Sequence, residues 1–188
     1  MTSPTRADGP APASGAIPWG HALRDALLVA ATLALWRADA ALRADGGALA
    51  IAVAVAVAAG VMTAVAGYLA HEWGHFLGAR AGGSALRLPA SAREVFLFNF
   101  DVRRSTPRQF VLMSSGGFAA SLAVIVLLVA VLPLPALSAL VALGLTAAGV
   151  VATAVLEVPP FVRVLRGGPL PRGAAYVSEP AGTPSGER

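Results

Sequence analysis

The chain has 188 residues, of which 56% are hydrophobic and only 13% charged, against roughly 25% charged in ordinary soluble domains. That balance excludes most soluble globular folds and points to a membrane protein. There is no cysteine, which excludes disulfide scaffolds, thiol nucleophiles and cysteine-ligated zinc, so any metal must be held by His, Asp or Glu. The formal charge of +4 arises from 14 arginines and no lysine.

Residues 1–20 hold four prolines among small and polar residues without periodicity, which predicts a retained disordered tail rather than a secretory signal peptide. Residues 22–36 form a short apolar stretch with Arg24 and Asp25 near one end and Arg37 just beyond the other. Such a helix either spans the bilayer or lies in its interface. Residues 48–70 carry no charge and at about 1.5 Å per residue reach across a hydrocarbon layer of about 30 Å. Residues 109–156 again carry no formal charge, with Pro133 and Pro135 near their middle, which predicts two helices joined by a turn.

The fold expected is therefore an all-α polytopic membrane protein. It has about four transmembrane helices, and a membrane-embedded unit over residues 21–167 is followed by a flexible tail over 168–188. Gly60, Gly67, Gly116, Gly117, Gly144 and Gly149 are candidates for close helix approach. Six arginines fall in residues 80–108, and Arg163, Arg166, Arg172 and Arg188 follow Glu157, whereas the proline turn has none. Positively charged loops stay inside. The long loop and the C-terminus are thus expected on the cytoplasmic side, and the arginines read as topology determinants rather than as a nucleic-acid interface.

The chemistry is concentrated where the second helix ends, in Tyr68-Leu69-Ala70-His71-Glu72-Trp73-Gly74-His75. His-Glu-x-x-His on a helix puts both imidazoles on one face, one turn apart, where they can bind one Zn²⁺. Glu72 beside them can take a proton from the water at the metal's open position and pass it to the leaving amine. Two histidines need a third protein ligand. Glu157 ends the uncharged stretch at the same expected depth and is the first candidate, its alternative being an acid that pairs with Arg163 or closes the helix before Pro159 and Pro160. Asp101, in the arginine-rich loop, is the second candidate, and Asp25 and His21 follow.

At these residues the chain resembles the site-2 protease family of intramembrane zinc metalloproteases. The likeness is carried by His71-Glu72-Trp73-Gly74-His75-Phe76-Leu77-Gly78-Ala79-Arg80, and the order of elements follows the family over residues 48–168. The resemblance implies that His71 and His75 are zinc ligands and Glu72 the catalytic acid/base, and that a membrane-protein substrate is cut near the cytoplasmic face of a bacterial plasma membrane.

Two stretches depart from the family. Its Gly-Pro-x-x-Asn run corresponds here to Gly117-Phe118-Ala119-Ala120-Ser121, and its ligating aspartate falls on Val162 when the prolines are aligned. Either Glu157 supplies the third ligand, or it is missing and the chain is a catalytically inactive relative that binds a membrane partner. Between the helices, residues 84–88 and 94–101 alternate weakly about Pro89, which predicts a hairpin. By the resemblance its edge would hold substrate as an added strand. Phe96, Phe98 and Phe100 alternatively anchor the chain at the membrane surface.

Overall fold

The computed structural model describes residues 17–171 except 90, 92 and 94–96. The tails expected within 1–16 and 172–188, with Arg172 and Arg188, lie outside the described residues, as do Glu94 and Phe96. The elements run α1 (Trp19–Asp45), α2 (Leu49–Ala81), β1 (Leu86–Arg87), β2 (Asn99–Phe100), α3 (Pro107–Val131) and α4 (Leu137–Leu165). Helix α1 starts at Trp19, inside the stretch expected as tail, and is longer than its short apolar run suggests.

Three helices, α2, α3 and α4, are long and apolar enough to cross a membrane, which makes the chain a membrane protein. Only 22%, 17% and 17% of their most apolar windows is buried inside the protein. Most of that apolar surface is therefore turned outward, where hydrocarbon can cover it.

The helix ends follow local chemistry. Gly46, at φ 65°, closes α1 in the left-handed conformation that glycine adopts without strain. At the start of α3, Thr106 and Gln109 form a reciprocal capping box with Pro107 in the first turn. Gln109 also donates from Nε2 to the Gly82 and Gly83 carbonyls at 3.2 and 2.9 Å, tying the end of α2 to the start of α3. Pro133 and Pro135 occupy the turn between α3 and α4, as their position requires. Helix α4, by contrast, continues through Pro159 and Pro160 to Leu165.

Helix α2 is central. Antiparallel to it, α1 is fixed by polar contacts: the Trp36 indole N–H donates to Thr63 Oγ1 at 2.8 Å and the Trp73 indole N–H to Asp25 Oδ2 at 2.9 Å. Helix α3 crosses α2 closely because Gly74 and Gly78 face Gly116: a Cβ on Gly74 would stand 2.5 Å from the Gly116 carbonyl oxygen and 2.6 Å from the Ala120 Cβ. This is the small-residue approach common in membranes. Gly60 packs on Ser138 and Val141 of α4, which runs parallel to α2. Gly144 and Gly149 have nothing within 4 Å of an added Cβ and so do not serve the close packing expected of them.

The hairpin is shorter than its sequence suggests, pairing Leu86 with Phe100 and Arg87 with Asn99 in antiparallel register. Phe98 and Phe100 are 3% and 0% exposed. They join Phe76, Phe110, Met113 and Val164 in a core that caps the motif end of the bundle. Of the three alternative surface anchors, Phe98 and Phe100 are thus interior residues, each stabilising the cap by about 1.5–3 kcal/mol through burial.

Candidate metal centre

His71 and His75 lie on one face of α2, and both are buried. Their rings meet edge to face with centroids 4.3 Å apart. Because α4 runs parallel to α2, it brings Glu157 to the same level. Glu157 Oε1 is 3.3 Å from His71 Nε2, Oε2 is 3.2 Å from His75 Nε2, and the two Nε2 atoms are 2.9 Å apart. Ligand atoms about 2.0–2.1 Å from a tetrahedral zinc ion stand about 3.3–3.4 Å from one another. Among the described residues, these three form the group of His, Asp or Glu side chains that could hold a metal ion.

The opposite ring nitrogens decide what this triangle can accept. His71 Nδ1 faces the Gly117 carbonyl at 3.0 Å and Ser121 Oγ at 2.9 Å, and His75 Nδ1 faces the Met113 carbonyl at 3.0 Å. A carbonyl can only accept, so each neutral ring carries its proton on Nδ1 and turns an Nε2 lone pair inward. The Glu157 carboxylate adds further acceptors, and its buried Oε2 accepts no hydrogen bond. Acceptor atoms thus converge with no donor between them. Such a donor set fits a cation, with Nδ1–H to carbonyl contacts of the kind that orient metal-binding imidazoles.

These supports come from one face of α3, where Met113, Gly117 and Ser121 recur every four residues. Gly117 is required by space, since its Cβ would stand 2.5 Å from His75 Nε2 and 2.6 Å from Nδ1. Read as a sequence, 117–121 showed only a missing proline and asparagine. The signal available was the matching four-residue spacing of 113, 117 and 121 against 71 and 75.

Glu72 sits half-buried beside the triangle, outside it, and interacts with Tyr68 one turn earlier. Asp101 is elsewhere: it lies at the hairpin, pairs with Arg87 at 3.3 Å and accepts from the Arg103 backbone N–H at 3.1 Å. It stands outside the triangle. Asp25 and His21 are buried on α1 and also stand outside the triangle, with Asp25 engaged by Arg24 at 2.7 Å and by Trp73. No protein-family model, curated protein or solved structure matches the chain.

Proposed function

We propose that the chain is an intramembrane zinc metallopeptidase that hydrolyses a peptide bond of a membrane-protein substrate near the cytoplasmic face. The observation carrying this reading is the triangle of His71, His75 and Glu157, whose inward atoms are all acceptors in the neutral-histidine state. His71, His75 and Glu157 would hold the ion, and Glu157 takes the place of the missing aspartate. Zinc bound there supplies Lewis acidity and a water acidified toward neutrality. Glu72, adjacent in sequence and outside the ligand set, would be the carboxylate that takes up and returns the proton.

Helix α1 is read as a fourth crossing. Its 27 residues extend about 40 Å, and it buries His21, Asp25, Thr32 and Asp39 while Leu23, Leu27 and Leu33 are 58–64% exposed. That inside-out pattern suits an apolar solvent. With four crossings the arginine-bearing end, which holds the triangle, faces the cytoplasm.

Glu72→Gln should keep zinc and lose proteolysis of a reconstituted membrane substrate, and a variant that still cleaves would remove Glu72 from its role. The competing reading, an inactive relative that binds a membrane partner, rests on the absent proline and asparagine at 117–121. It expects no zinc in the purified wild type.

A further inference from the structure

Immediately on the bilayer side of His71, α2, α3 and α4 line a partly open cavity of about 60 Å³, bordered by Tyr68, His71, Ser121, Thr146, Gly149 and Thr153 among apolar neighbours. Hydroxyls at this depth normally bond back to their own helix. Thr32 does so to the Leu28 carbonyl at 2.8 Å and Thr63 to the Ala59 carbonyl at 2.7 Å. Thr146 does not: it is 8% exposed, lines the cavity, and its Oγ1 has no partner. An unpaired buried hydroxyl costs about 1–3 kcal/mol. Across the cavity, Ser121 Oγ stands 2.9 Å from His71 Nδ1, sharing that N–H with the Gly117 carbonyl.

We propose that this cavity is a built-in hydration site, holding water at bilayer depth between Thr146 and Ser121, against the imidazole of His71. A buried water needs about 10–15 Å³ and two to four polar partners; the cavity offers room for several, and the hydroxyls of Thr146, Ser121 and Thr153 line it. The water there satisfies Thr146 and, through Ser121, steadies the ring that His71 presents. Its further use as a reserve for hydrolysis in a hydrocarbon environment rests on the metallopeptidase reading; its presence does not.

The test is radiolytic hydroxyl labelling of the detergent-solubilised full chain, in which radicals generated from bound water mark adjacent side chains. Val124 and Val150, half-buried on the cavity wall, are expected to label severalfold faster than Leu140 and Val151, which are 58% and 63% exposed on the outside of α4. The nearly isosteric Thr146→Val should bring the wall residues down to the rate of those controls. Equal labelling of wall and controls in the wild type, or unchanged labelling in Thr146→Val, would overturn the proposal. Zinc measured on the same samples reads the metal centre separately, so a metal-free protein with a labelled cavity would sink the peptidase reading and leave the hydration site standing.

Discussion

Adding one methyl group to Gly117 should dismantle the proposed metal centre without substituting any ligand. A Cβ there would stand closest to His75 Cε1, with Nε2 at 2.5 Å and Nδ1 at 2.6 Å, so the ring must retreat by about 1.1 Å to regain an ordinary 3.4 Å contact. Metal–nitrogen bonds tolerate only about 0.2 Å, and α3 cannot yield because Gly116 is already against Gly74. Disturbing the groups that merely orient a ligand lowers metal affinity about 10–100-fold. Displacing the ligand itself should exceed the upper figure, at least about 2.7 kcal/mol. Overpacking adds a stability cost of about 1–3 kcal/mol. The assay is zinc competition against a chromophoric chelator, with Gly144→Ala as the matched control because an added Cβ there meets nothing within 4 Å. Gly117→Ala binding zinc with wild-type affinity would refute the reasoning.

Other variants probe the neighbouring contacts. Ser121→Ala leaves the Gly117 carbonyl on His71 Nδ1 and should weaken zinc about tenfold by the same titration. Asp25→Ala strands the Trp73 indole N–H and should cost about 1–3 kcal/mol in detergent unfolding; a double-mutant cycle with Trp73→Phe should show the two effects to be non-additive. Adding zinc at about 100 times its dissociation constant to chelator-stripped wild type should restore about 2.7 kcal/mol of stability. Glu157→Gln should gain far less, and an equal gain in that variant would count against Glu157 as a ligand.

The helices were readable to different degrees for a physical reason. A stretch without charge over residues 48–70 or 109–156 has one inexpensive environment, the bilayer, so α2, α3 and α4 follow from composition. Helix α1 buries its polar residues instead of its apolar ones, and hydropathy alone averages that pattern away. Glu157 could be placed beside the histidines by depth, since two helix ends on one side of a membrane share a level. Gly117 and Ser121 could not, because their role depends on the crossing of α3 over α2 rather than on any local motif. For Phe98 and Phe100 the sequence leaves the choice open for a similar reason: an aromatic stretch beside a membrane suits several surroundings equally, and only the fold of the loop against Phe76 and Phe110 decides. Neither prolines nor glycines were reliable on their own, as α4 passes through Pro159 and Pro160 and leaves Gly144 without a neighbour.

The most direct measurement is metal content of the purified, detergent-solubilised protein by mass spectrometry, across wild type, His71→Ala, His75→Ala, Glu157→Ala and Asp101→Ala. The account expects near-stoichiometric zinc in wild type and Asp101→Ala and its loss in the other three. A wild type without zinc, or zinc that survives Glu157→Ala and disappears with Asp101→Ala, would contradict it.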